Sequence, residues 1–214
     1  MTDRRWLWVM GAFGFLLACP AGANTTDFNQ PYTPDPQTRL LLHFDGNAQD
    51  GSEYKNNARL GGGAKVQPGG RFDDGAYLDG DWDVVSVGKD ASLSPSGQIT
   101  FEAWVKPLRL EGTQQILSKH ILKAPWYQYH LQIRPDGKVI AGVTTPKKHL
   151  SGESDEPLVA GEWVHLAGAY DGKSLRLYVN GKVQSRPVEG DGPIVDGGGA
   201  LEIGRWGGSN YWFQ

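Results

Sequence analysis

Residues 161–183 read GEWVHLAGAYDGKSLRLYVNGKV, and this alternating run restricts the fold more than any other part of the chain. Between Glu162 and Tyr170, the residues Trp163, His165, Ala167 and Ala169 fall on one side, with Val164, Leu166, Gly168 and Tyr170 on the other. A period of two, carried by β-branched and aromatic residues, is the pattern of a strand covered on both faces. Asp171-Gly172 follows, a pair that supplies the positive φ angles of a hairpin turn. The next segment sets Leu175, Leu177 and Val179 against Arg176, Tyr178 and Asn180, and Asn180-Gly181 then turns the chain into Lys182–Val188. A three-strand antiparallel meander is the expected outcome.

The remaining sequence extends that pattern in both directions. Gln98–Lys106 alternates Ile99, Phe101, Ala103 and Val105 with Thr100, Glu102 and Trp104, and Pro107 ends it because proline cannot continue a paired strand. Further strands are expected at Leu40–Phe44, Ala76–Asp79, Val84–Val87, Gln114–Lys119, Trp126–Arg134, Lys138–Thr145 and Leu201–Gly204. Residues 45–63, 146–157 and 190–199 read as loops, the second of them solvated and charged, and no stretch has the period of an ordinary helix. Thirty glycines and thirteen prolines provide the turns of an all-β chain of short strands. A net charge of −3, with the basic residues scattered, gives no footprint for nucleic acid.

Met1–Ala23 has the three parts of an export signal: Arg4-Arg5, an uncharged run from Trp6 to Ala18, and the small-residue end Ala21-Gly22-Ala23. The run is shorter than the ~20 residues that span a bilayer, so no transmembrane span is expected after leader removal. Cleavage after Ala23 would free a soluble product. Leu16-Leu17-Ala18-Cys19 also resembles a bacterial lipoprotein signal, in which Cys19 would carry a lipid anchor. A secreted, periplasmic or cell-surface location follows from either. Cys19 is the single cysteine, so the folded part has no disulfide. Residues 24–38, with three prolines and no apolar periodicity, are read as a linker.

From residue 39 onward the chain resembles the laminin G-like, concanavalin A-like jelly rolls. The resemblance rests on G-E-W-V-H-L-A…Y-D-G…L-R-L-Y-V-N-G-K, on Leu41-Leu42-His43-Phe44-Asp45-Gly46, and on Ile99-Thr100-Phe101-Glu102-Ala103-Trp104-Val105-Lys106-Pro107, in that family's order. It implies a two-sheet antiparallel β-sandwich over 39–214. It also implies one more acid-bearing strand than the sequence contains, so the domain is expected to be incomplete at its C-terminus, with an unpaired sheet edge. Similar domains often hold a structural Ca2+ with an acid at the position of Asp45 and another from that last strand. Asp45 and Asp50 are the candidate ligands here, against the alternative that Asp45-Gly46 merely forms a turn.

Enzymes of this fold place an alternating acidic triplet on one strand, so that two carboxylates flank the scissile bond. No such triplet occurs; Glu153-Ser154-Asp155-Glu156 is the nearest approach and reads as a charge cluster in solvent. Glu102 and Glu162 stand as single acids, and His165 reads as a packed or hydrogen-bonded core residue. Asp79-x-Asp81-x-Asp83 lacks the glycine and the terminal glutamate of an EF-hand loop, which leaves a solvated turn as the default. Sugar recognition needs exposed aromatic rings beside polar groups, and Trp126, Tyr127, Trp206 and Tyr211 are the candidates, with Trp82 in the acidic turn. Trp104 and Trp163 read as core. The expected role is non-catalytic recognition with carbohydrate as the partner. An interaction module that meets another extracellular domain is the second reading, and a glycoside hydrolase the third.

Overall fold

A computed structural model describes residues 29–121 and 126–205 together with the backbone of Trp8–Met10. In chain order the strands are β1 (Trp8–Met10), β2 (Arg59–Gly61), β3 (Lys65–Pro68), β4 (Asp74–Tyr77), β5 (Val84–Gly88), β6 (Ile99–Lys106) and β7 (Gln114–Ile121). They continue with β8 (Tyr127–Ile133), β9 (Val139–Thr144), β10 (His149–Glu153), β11 (Val164–Tyr170), β12 (Ser174–Val179), β13 (Lys182–Glu189) and β14 (Gly198–Ile203). Every pairing is antiparallel, in two seven-stranded sheets. Sheet I runs β13-β12-β11-β6-β1-β4-β3 and sheet II runs β10-β9-β8-β7-β14-β5-β2. The result is the antiparallel jelly-roll sandwich expected from the sequence. Helical structure among the described residues is one 3-10 turn, Ala91–Leu93.

The alternation of each strand sends one set of side chains between the sheets. Ile99, Phe101, Ala103 and Val105 of β6 and Val164, Leu166 and Tyr170 of β11 meet Tyr129, Leu131 and Ile133 of β8 and Val139, Ala141 and Val143 of β9. Phe101 stacks on Tyr129 across the layers, with ring centres 5.3 Å apart, and the Tyr129 hydroxyl donates to the Leu93 carbonyl. Gly168 makes room for this contact. A Cβ there would lie 2.5 Å from the Phe101 ring and 3.1 Å from Ala141. The meander forms as expected: Asn180 and Gly181 both take positive φ, 48° and 73°, between β12 and β13.

Several expectations are corrected. Leu40–Phe44 joins no ladder; it enters the core with Leu40, Leu41, Leu42 and Phe44 buried and makes one bridge, Leu42 to Asp50. Its backbone is tied to the following loop instead, through Leu41 to Asp50 Oδ1 and Gly51 to the Leu41 carbonyl. The 146–157 excursion is not a solvated loop throughout, because His149–Glu153 pairs with β9 as an edge strand that buries Leu150 completely. Trp104 lies on the outer face of sheet I, between Arg71, whose guanidinium carbon sits 4.6 Å from its ring centre, and His165. Glu102 is not alone, since His165 Nε2 lies 3.3 Å from its carboxylate. Within sheet I, β1 pairs with both β4 and β6, Val9 falling opposite Ala76 and Val105.

Candidate functional site

The outer face of sheet II carries polar side chains where an exposed sheet would have solvated ones. His149 (β10), Thr144 (β9), Tyr127 and His130 (β8), Ser118 and His120 (β7) and Glu202 (β14) form a band across five neighbouring strands. The register aligns it: His149 faces Thr144, His130 faces Ser118, Tyr127 faces His120, and Glu202 faces Ser118. Ser118, His130, Thr144 and Glu202 are buried.

A bulge assembles the centre of the band. Lys119 pairs with Tyr129 and His120 with Tyr127, so Gln128 is an extra residue in β8. Residues three apart on a regular strand face opposite ways, and the extra residue restores Tyr127 and His130 to one side. Their rings stack with centres 4.2 Å apart and planes 19° from parallel. Gly142, the register partner of His130, leaves the imidazole its place, since a Cβ there would meet His130 Nε2 at 2.0 Å and Cδ2 at 2.4 Å.

The hydrogen bonds of this half run in one direction. Thr144 Oγ1 lies 2.5 Å from the Tyr127 carbonyl, which can only accept, so the hydroxyl proton goes there. Thr144 Oγ1 therefore accepts from His149 Nδ1, 2.8 Å away, and His149 Nε2 keeps its lone pair. The His130 and His149 ring planes are 23° from parallel, with their Nε2 atoms 3.4 Å apart. His130 Nε2–H donates across that gap. Burial and the neighbouring His149 push the His130 pKa down to about 3, and burial lowers that of His149, so both imidazoles are neutral at pH 7.

The other half is an ion-paired cluster. His120 Nε2 lies 3.3 Å from both Ser118 Oγ and Glu202 Oε2, and Arg205 Nη2 lies 3.2 Å from Glu202 Oε1. Burial alone would raise the Glu202 pKa; the His120 hydrogen bond and the Arg205 charge outweigh it and hold the group below its ordinary value. One imidazole nitrogen serves both the serine and the acid, so this is not the relay of a nucleophilic triad, which needs a different nitrogen for each.

Of the residues expected to bind sugar, Tyr127 is in the band and Trp126 adjoins it, 49% exposed at the start of β8 with φ 78°. Trp206 and Tyr211 lie outside the described residues. Trp82 is exposed between β4 and β5, at the opposite end of sheet II from Trp126. Of the expected metal ligands, Asp50 is buried and its carboxylate accepts four hydrogen bonds, from Leu41, Ser52 (twice) and Asn56. These occupy the roughly four lone-pair sites of a carboxylate. Asp45 is exposed and shares none of those partners. Among the described residues, no three His, Cys, Asp or Glu side chains converge as a metal site.

Asp83 departs from the solvated turn expected for its segment. It is buried and accepts from the Asp79 and Gly63 backbone N–H groups. The sequence reading missed His120, His130, His149, Thr144 and Glu202 altogether. A glycine inside the apolar run of β9 is the one local signal of the close approach beneath His130.

Comparison with known proteins agrees with the fold. The concanavalin A-like lectin/glucanases superfamily matches residues 80–214, more than half of the chain. No curated protein matches the sequence. Among solved structures, domain 4 of AbnA, an extracellular GH43 arabinanase from Geobacillus stearothermophilus in complex with arabinotriose, is similar with a TM-score of 0.62. It is 18% identical, over 79% of this chain and 84% of that one. Mouse laminin α1 domains LG4-5 give a TM-score of 0.47 at 16% identity, covering 74% of this chain and 39% of that one. The CBM40 of the Ruminococcus gnavus IT-sialidase, bound to α2,3-sialyllactose, gives 0.43 at 21%, covering 56% and 70%.

Proposed function

We propose that this chain, which belongs to the concanavalin A-like lectin/glucanases superfamily, is a non-catalytic carbohydrate-recognition module of an exported protein. The outer face of sheet II, entered from its Trp126–Tyr127 end, is the binding surface. The observation that carries the reading is the arrangement at that end of the face: an exposed Trp126 next in the chain to Tyr127, whose ring lies on His130 in a band of hydrogen-bonding groups. A saccharide asks for such a combination, because its C–H face stacks on aromatic rings while its hydroxyls need fixed donors and acceptors. The arabinotriose bound by the arabinanase domain is a ligand of the same class on the same fold. At 18% identity that likeness speaks for the fold alone, so the weight stays on the geometry.

The non-catalytic part is supported by the way acids are used on this face. A retaining glycosidase needs a second carboxylate about 5 Å from the first. Glu202 is held by His120 and Arg205, while Glu153, at the end of β10, is paired with Arg134 and Lys138. The export signal read in Met1–Ala23 supports an exported protein; Trp8–Met10, which form β1 of sheet I in the full chain, lie within that signal and would leave the sheet on its cleavage. Among the described residues, no helix is long and apolar enough to cross a membrane.

A glycan array probed with the full chain, beside Trp126→Ala and Tyr127→Ala, tests the proposal. Binding to one saccharide family that both variants lose is the expected result. A chain that binds no glycan would favour the interaction-module reading. Release of reducing ends from β-glucans or arabinan would overturn the non-catalytic assignment.

A further inference from the structure

We propose that sheet I holds a one-strand slot between β4 and β6, and that in the exported protein a partner polypeptide fills it with an extended segment docked antiparallel to both. The slot lies on the sheet opposite the saccharide surface and does not depend on it. From the proposed function it takes only the export of the chain.

The slot is defined by the strand that sits in it. On one side Trp8 lies opposite Tyr77 and Val9 opposite Ala76 of β4. On the other, Trp8 lies opposite Lys106, Val9 opposite Val105 and Met10 opposite Trp104 of β6. Among the described residues, the β3–β4 hairpin joins the rest of sheet I only through this strand. Trp8–Met10 belong to the leader, so cleavage after Ala23 takes the strand away and leaves two facing edges.

Those edges cannot simply meet. β1 is antiparallel to both neighbours, so β4 and β6 run parallel to each other, about 10 Å apart, two ladder spacings. Pairing them directly would drag β4 by roughly 5 Å across the core. Ala76 and Leu78 hold that segment in place, both at 0% exposure in the core cluster. An open slot leaves backbone donors and acceptors unpaired on both edges, a cost that an added strand removes.

The edges also specify the occupant. Both offer main-chain hydrogen bonds, so the donor is an extended segment without proline. Its central residue sits opposite Ala76 and Val105, two core residues. Directly opposed residues of a ladder share a face, so that central residue is apolar. Its neighbours in the segment face outward beside Lys106 and Trp104. The new N-terminus of the chain is a poor donor: residues 24–30 carry one apolar residue, Phe28, and Pro31, Pro34 and Pro36 follow. The other described strands are already committed to their ladders, and a second polypeptide is the donor the slot fits.

The test uses chain exported and processed at Ala23, its mass confirming the cut, beside the unprocessed full chain. The probe is a fluorescent peptide of residues 4–12, with Val9→Asp and scrambled peptides as controls. The processed chain should bind the probe saturably, and the Val9→Asp peptide at least about tenfold more weakly, because its carboxylate would enter the core. The unprocessed chain, whose own strand competes, should also bind the probe at least about tenfold more weakly. Bound probe should slow amide hydrogen exchange in β4 and β6 and leave β10 unchanged. If the processed chain folds poorly, a full chain with a protease site inserted after Ala23 is folded first and then cut, and replacement of its leader by the probe is read instead. Equal uptake of all three peptides, or uptake of none, would overturn the slot. A processed chain that protects β4 and β6 as well as the unprocessed one, with no peptide added, fills the slot with its own residues and overturns the partner. Glycan binding by the same samples reports on the sheet II surface alone, so the two proposals fail separately.

Discussion

Asp83 and Asp171 are both turn carboxylates, yet their surroundings give them opposite pH dependences. Burial, with Asp79 beside it, raises the Asp83 pKa to about 6 in the folded chain from an ordinary 3.8. The folded state therefore holds that proton more tightly, so the contribution to stability is full below about pH 4 and is lost as pH rises through 6. Partial burial acts in the same direction on Asp171, but the Arg176 hydrogen bond and the Ser174 and Lys173 N–H groups reverse it and bring the value to about 2. Its contribution is present above 3.8 and disappears as pH falls toward 2. Urea unfolding between pH 4 and 6.5 should show wild type losing stability relative to Asp83→Asn as pH rises; a constant gap would contradict the assignment. In the polar band of sheet II, Thr144→Val removes the acceptor that fixes His149. We expect it to change the tautomer signature of His149 and, on the proposed function, to weaken saccharide binding by roughly threefold to tenfold. At this scale the sequence was a partial guide. It separated Tyr127 and Trp126 from the strand tryptophans, but Asp50, Asp83 and Glu102 revealed their partners only in three dimensions, because those partners come from other segments.

Strands explain both the successes and the omissions. Where alternation was long and the turn residues clear, as in β6, β11 and β12, the period of two located the strand and sorted its residues onto two faces. It did not say which face turns inward: Trp104 and His165, read as core, lie on the outer side of sheet I. The polar band of sheet II was hidden for a specific reason. One extra residue in β8, Gln128, changes the parity of the strand, so Tyr127 and His130 share a side that simple alternation denies them. His149 was hidden differently, inside a segment so polar that it read as loop. Leu150 is its only large apolar residue, and it is fully buried against the core. Leu150→Ala should therefore cost about 2–5 kcal/mol in denaturant unfolding, the range of a core truncation. A change within ~0.5 kcal/mol, typical of a surface site, would return the segment to the status of a solvated loop.

Taken whole, the molecule divides its work between two layers. Side chains between the sheets hold the sandwich together without a disulfide, and the outer face of sheet II is free to carry polar groups that a core would not tolerate. Sheet I has its own outer cluster, in which Arg71 lies over Phe72 and Trp104 and His165 pairs with Glu102. The jelly roll was legible because it follows from local alternation and turn chemistry. The polar band on sheet II was not, because it draws on β7, β8, β9, β10 and β14, segments whose adjacency is a property of topology. Calorimetric titration of the full chain with the array-selected oligosaccharide, wild type against a Trp126→Ala/Tyr127→Ala double variant, decides whether the Trp126–Tyr127 end of sheet II holds the ligand. Saturable binding that the folded double variant loses by about a hundredfold, the equivalent of roughly 2.7 kcal/mol, is expected. An unchanged dissociation constant in the double variant would place the ligand elsewhere on the molecule and overturn the proposed surface.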